Sequence, residues 1–101
     1  MDLLARIKRL AIRRKLIWTG KAELQMAQSG ITREDVIEAI INAQFVITKI
    51  SISRRRKMRK ERVRIIKSFT MDGVYIYTKG VIRKIGGEDY FYIIISAKRG
   101  D

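Results

Sequence analysis

Apolar residues recur at helical spacing through residues 2–15, where Leu3, Ile7, Leu10 and Ala11 share one stripe and Arg6, Arg9 and Arg13 share the other. This predicts an amphipathic helix. The short run Leu16-Ile17-Trp18 reads as extended, after which Thr19 is placed to cap a second helix over residues 21–28 that Ser29-Gly30 terminates. Thr32 then precedes Glu34 and Asp35, with Val36, Ile37, Ile40, Ile41 and Ala43 following as an apolar stripe. A Thr hydroxyl can accept from a free backbone N–H of the first turn. The two carboxylates suit the positive end of the helix dipole, so a third helix begins here. Asp is shorter than the usual Glu of a capping box, so the reciprocal bond is the less secure half of that motif.

Beyond Gln44 the period changes to that of strands. Val46, Thr48, Ile50 and Ile52 alternate, and a second strand is predicted over residues 63–70. Met71-Asp72-Gly73 marks a hairpin turn. Residues 74–79 and 81–85 form a third strand with a bulge expected at Gly80. Gly86-Gly87 makes another turn, and residues 90–95 form the last strand. Helices first and an antiparallel meander afterwards is an α+β pattern, with N-terminal helices packed on a curved antiparallel sheet. The 101 residues suit a single domain spanning 1–101, without repeats or low-complexity linkers.

Charge sharpens this picture. Lys and Arg number 23 against 10 Asp and Glu, a formal net charge of +13, with 47% hydrophobic residues. The apolar fraction supports a core, and the excess of cations points to a polyanionic partner, RNA above all. There is no cysteine and no histidine. Disulfides, thiolate metal sites, cysteine nucleophiles and the commonest general base are thereby excluded. Arg6, Lys8, Arg9 and Arg13 interrupt every potential signal-peptide core, and the longest uncharged stretch, residues 39–48, is too short to cross a bilayer. The expectation is a cytoplasmic protein without a membrane partner.

Between Arg54 and Arg64, eight of eleven residues are cationic: Arg54, Arg55, Arg56, Lys57, Arg59, Lys60, Arg62 and Arg64. Charge runs are commonly solvated loops. Here the run interrupts a sheet, and its self-repulsion favours a phosphate-gripping role, each cation releasing a condensed counterion on meeting a phosphate. Tyr75 and Tyr77, two residues apart, share one strand face. Tyr90 and Tyr92 are expected to repeat the arrangement, flanked by Lys79, Arg83 and Lys98, while Phe91, Ile93 and Ile95 face the helices. Such tyrosines are often mere sheet surface; as a functional set they offer stacking platforms for unpaired bases.

RNA supplies its own nucleophile in the 2′-hydroxyl. A catalyst must take that proton, stabilise the phosphorane and protonate the departing 5′-oxygen. Lysine and tyrosine are poor bases alone. Neighbouring cations favour their neutral-amine and phenolate forms, and arginine clamps phosphate in bidentate fashion. A Lys/Tyr/Arg set is therefore sufficient without a cofactor. Glu34 and Glu38 lie four apart on a helix but lack a third ligand, so they read as solvent-facing charges rather than a metal site.

Four segments resemble the MqsR-type toxins, RelE-like mRNA interferases of bacterial type II toxin–antitoxin systems: WTGKAELQMAQSGITREDV at residues 18–36, Lys49 following Phe45, GVYIYTK at 73–79 and ISAK at 95–98. The resemblance implies helices on one side of a curved antiparallel sheet, and mRNA cleavage without a cofactor. It also implies inhibition by a cognate antitoxin, in this family often one with a zinc-binding domain. By position, Lys49 resembles a lysine implicated in activity, Tyr77 an active-site tyrosine and Lys98 a basic residue near the C-terminus. A glutamine of that family's site is replaced here by Arg62 or Arg64. The spacing Ala22…Met26…Gly30-Ile31…Val36 is also similar to a bacterial domain of unknown function, whose His and Arg correspond to Lys21 and Gln25 here. The expected catalytic set is Lys49, Tyr77, Lys79 and Lys98. Around it, Arg54, Arg55, Arg56, Lys57, Arg59, Lys60, Arg62, Arg64, Tyr75 and Arg83 bind RNA. Two alternatives use the same charges: a non-catalytic RNA-binding protein, with the ribosome as one candidate location, and a membrane-surface anchor through helix 2–15.

Overall fold

The computed structural model describes residues 2–53, 59–87 and 89–100. In chain order it contains α1 (Leu3–Ile12), β1 (Leu16–Trp18), α2 (Gly20–Ser29), α3 (Arg33–Asn42), β2 (Ile47–Ser53), β3 (Arg59–Phe69), β4 (Tyr75–Ile85) and β5 (Asp89–Arg99). The architecture is α+β. Each helix starts where a side chain can satisfy its free N–H groups. Asp2 accepts from Ala5, Thr19 from Ala22 and Thr32 from Asp35. The Asp35 carboxylate also accepts from the Thr32 N–H at 2.9 Å, completing the capping box. Gly30, at φ 69°, ends α2 in the left-handed conformation that a side chain would disfavour.

The strands form one sheet ordered β1-β5-β4-β3-β2. The sheet is mixed rather than purely antiparallel, because β1 pairs parallel with β5, Ile17 opposite Ile93. The segment between them returns the chain to the sheet in the same direction, which periodicity in so short a strand could not reveal. Two strands are longer than expected. β3 begins within the cationic run, and β5 continues to Arg99. Backbone pairing of Ser53 with Arg59 and Ile52 with Lys60 holds the charged start of β3, where side-chain polarity predicts a loop.

All three helices cover one face. Ile7, Leu10 and Ala11 of α1, Ala22 and Met26 of α2, and Val36, Ile37, Ala39 and Ile40 of α3 pack with Ile66, Ile76, Tyr92, Ile94 and Ala97 of the sheet. The opposite face carries a smaller aliphatic strip of Val63, Val81 and Ile93, flanked by Ile17 and Ile95. It is termed the open face below.

A bulge determines which residues reach that face. Gly80 pairs with Ile94 and Lys79 with Ser96, leaving Ile95 as an extra residue on β5. The irregularity was expected at Gly80 on β4; its extra residue lies on the neighbouring strand. Gly80 instead answers a steric demand: a methyl there would lie 2.6 Å from Cζ of the Tyr92 ring and 2.7 Å from the Ile93 carbonyl oxygen. Thr19 fastens the bulge to the start of α2, donating its N–H to the Ile94 carbonyl and its hydroxyl to that of Ile95. Farther along β5, α2 covers the strand edge. The Ala97 N–H donates to Gln25 Oε1 and the Arg99 N–H to Ser29 Oγ. Gln25 thus has a structural role. Among the described residues no helix is long and apolar enough to cross a membrane.

Candidate nucleic-acid interface

Tyr77 stands at the centre of a row of three residues on the open face, opposite Lys67 of β3 on one side and Lys98 of β5 on the other. The Lys98 Nζ lies 5.7 Å from the centroid of the Tyr77 ring, within cation–π range. The next row toward the bulge brings together Ile47, Ile65, Lys79 and Ser96. On the other side, Phe69 pairs with Tyr75, their ring centroids 4.8 Å apart. Gly100 lies against the Tyr75 ring, where a methyl would come within 2.8 Å of it. Tyr75 is consequently half-buried, one of its roles being to pack the end of the sheet.

Tyr77, Lys79 and Lys98 therefore converge on one face. Lys49, opposite Val63, reaches the same face from β2. Two strand spacings and two residue rises separate its backbone from that of Lys79, roughly 12 Å. The two lysines are spaced to contact neighbouring groups of an extended chain rather than one shared atom. Among the described residues, the ion pairs are Arg14–Glu34, Lys15–Asp89, Arg33–Glu23 and Arg83–Glu61. Lys49, Lys67, Lys79 and Lys98 belong to none of them, so the centre of the open face carries uncompensated positive charge.

Other expected site residues lie elsewhere. Arg62 and Arg64 are on the helix side, because Arg64 pairs with Thr48 and Gly80 while the open face takes Val63, Ile65 and Lys67. Strand alternation alone separates them from Tyr77. Arg64 donates from Nη1 to Thr48 Oγ1 at 2.7 Å. Lys60 shares the helix side with Arg62 and Arg64 and is exposed. Arg83 is on the open face but is engaged by Glu61, and it sits about 20 Å along the strand from Tyr77. Arg54, Arg55, Arg56 and Lys57 lie outside the described residues; Arg59 is placed by its backbone pairing with Ser53.

The second tyrosine pair is also reassigned. Tyr92 is fully buried against the helices and Tyr90 shares that side, opposite Lys84, whereas Phe91 and Ile93 belong to the open face. Ile85 opposite Asp89 sets this register, placing Tyr92 across from Ile82. Burial raises the Tyr92 phenol well above the ordinary tyrosine range, the nearby Arg64 opposing the shift only in part.

Three residues not singled out by the sequence join the site. Lys67 enters through the hairpin register, because it and Tyr77 are equally distant from Asp72. Phe45 and Phe69 line a cleft of about 570 Å³ together with Asn42, Lys67, Met71 and Tyr75, at the end of β3 that extends past β2. Both phenylalanines are more than half exposed, Phe45 at 61% and Phe69 at 54%. Asn42 donates to the Phe69 carbonyl at 3.1 Å and Glu38 accepts from the Met71 N–H, fixing the cleft wall.

No family model matches the chain, and comparison with curated proteins and with solved structures likewise gives no match.

Proposed function

We propose that this chain binds single-stranded RNA on its open face and cleaves mRNA there as a metal-independent endoribonuclease. In this reading it is the toxin of a type II toxin–antitoxin pair with an MqsR-like fold and a cognate protein antitoxin. The observation that carries the reading is the Lys67–Tyr77–Lys98 row, a phenol between two ammonium groups that have no acidic partner among the described residues. The lysines hold the phosphodiester, and a base enters the cleft beside Phe45 and Phe69, where apolar and aromatic walls favour an unstacked ring.

In the chemical step the 2′-oxygen attacks the adjacent phosphorus and the bond to the 5′-oxygen breaks. The 2′-hydroxyl proton passes to solvent water, and the Lys79 ammonium offsets the charge that develops on the 2′-oxygen. Lys67 and Lys98 offset the charge that grows on the phosphorane oxygens, and the Tyr77 phenol delivers a proton to the departing 5′-oxygen. Each group acts from a neighbouring row of a rigid sheet, which limits the reorganisation needed as charge develops.

One observation favours a second reading, a non-catalytic RNA-binding protein: Arg62 and Arg64 lie on the other side of the sheet, so no guanidinium stands in the Tyr77 row to clamp the phosphorane. Expression in a bacterial host separates the two. The nuclease reading expects growth arrest with loss of full-length mRNA, both abolished by Tyr77→Phe. Growth arrest that survives Tyr77→Phe, or its absence with RNA still bound, supports the second reading.

A further inference from the structure

The helix side of the sheet carries a second concentration of cations, separate from the open face. Arg6 and Arg9 are exposed on one stripe of α1, and the exposed Arg13 at its C-cap extends the row to about 10 Å. They line a hollow of about 360 Å³ with Leu10, Lys15, Asp89 and Tyr90, where the Asp89 carboxylate is paired with Lys15 and leaves the three arginines unmatched. The Arg6 guanidinium lies 4.6 Å from the centroid of the Tyr90 ring, and Lys84 Nζ lies 5.8 Å from the same centroid. Arg62 and Arg64 of β3 continue the patch. None of Arg6, Arg9, Arg13, Arg62 and Arg64 belongs to an ion pair among the described residues.

This patch is held against its own repulsion. Burial, followed by the charge of Arg62 and more weakly that of Arg6, keeps the Arg64 guanidinium below the usual arginine range. Its Nε is buried and has no hydrogen-bond partner among the described residues. Gathering guanidiniums in this way opposes folding, and an anion seated among them relieves the repulsion. Tyr90, the aromatic ring in the hollow, already has cations over it. The patch therefore offers guanidinium N–H groups to phosphate oxygens rather than an open ring to a base.

We propose that Arg6, Arg9, Arg13, Arg62 and Arg64 form a second RNA site on the helix side, one that grips backbone phosphates irrespective of base. It binds a part of the RNA beyond the segment on the open face. The inference rests on the reading of the chain as an RNA binder but not on cleavage. It divides the labour of the protein: the open face handles bases and the scissile bond, and the helix side supplies affinity that grows with RNA length and falls with salt.

The test uses the full chain and 2′-O-methyl RNAs, which lack the attacking hydroxyl. One probe is a hexanucleotide and the other is several times longer. The variant R6Q/R9Q/R62Q alters exposed positions and leaves Arg64 and its bond to Thr48 intact, and circular dichroism checks its fold. The expected result is at least about a tenfold loss of affinity for the long RNA, with the slope of log K against log salt reduced by about 2, and unchanged binding of the hexanucleotide. An unchanged slope for the long RNA overturns the proposal. Equal weakening of both probes also overturns it, since that result reports lost net charge and no separate site. Hexanucleotide binding that ignores Lys98→Ala overturns the open-face reading instead and leaves the arginine result standing.

Discussion

Lys98 shares a face with Tyr77 only because Ile95 is an extra residue in β5. Before the bulge, odd-numbered residues of β5 point to the open face; after it, Ser96 and Lys98 do. A regular strand would turn Lys98 toward the helices. Instead its ammonium lies 5.7 Å from the Tyr77 ring centroid. Lys98→Ala should lower the rate of RNA cleavage about 100-fold or more, the scale of losing a positioned charge at a developing oxyanion. Lys98→Arg, which keeps the charge, should retain part of the activity. Single-turnover rates on a defined RNA report both.

Lys67 was not among the residues that composition and motif singled out, yet it stands directly opposite Tyr77. Its side chain is exposed and makes no ion pair among the described residues, so Lys67→Ala should leave thermal stability within about 0.5 kcal/mol. Binding of an uncleavable single-stranded RNA should weaken, and the salt dependence should lose about 0.7 in slope, the value for one phosphate contact. Titrations at several salt concentrations measure it.

Gly80 is required by close approach rather than by an unusual backbone angle. A methyl 2.6 Å from the Tyr92 ring and 2.7 Å from the Ile93 carbonyl forces the two strands or the buried ring to move. Gly80→Ala should destabilise the protein by about 1–3 kcal/mol. Denaturant unfolding of the variant would reveal the loss as a lower midpoint at unchanged slope.

Tyr92 makes stability sensitive to alkali. Burial raises its phenol in the folded protein above the ordinary value of 10.0, so the folded state holds its proton while the unfolded state releases it. The Tyr92 contribution is complete below pH 10 and declines as pH climbs from there toward the folded value. Tyr92→Phe should flatten that decline; unfolding free energies measured between neutral pH and pH 11 test the sign.

Much of the helical half was legible because its signals are local. Thr19, Thr32 with Asp35, and Gly30 each act on backbone groups within a few residues, and each marks a boundary in the structure. The Asp72-Gly73 turn was legible for the same reason. The faces of the long strands were not. Tyr90 and Tyr92 alternate like Tyr75 and Tyr77, but their face depends on pairing across the Gly86-Gly87 turn, and the parity changes again at Ile95. Arg62 and Arg64 misled in another way: proximity in sequence to a cationic loop suggested one surface, while alternation along β3 sends them to the side opposite Lys67. The parallel pairing of β1 needed the whole sheet to be assembled first.

One experiment tests directly whether the lysine–tyrosine row of the open face breaks RNA. The purified 101-residue chain should be incubated with a long transcript in the presence of EDTA, beside its Tyr77→Phe variant. The expected result is discrete fragments from the unaltered protein and at least about a 100-fold slower reaction from the variant, with RNA binding retained by both. Intact transcript after binding, or fragments formed equally fast by Tyr77→Phe, would contradict it.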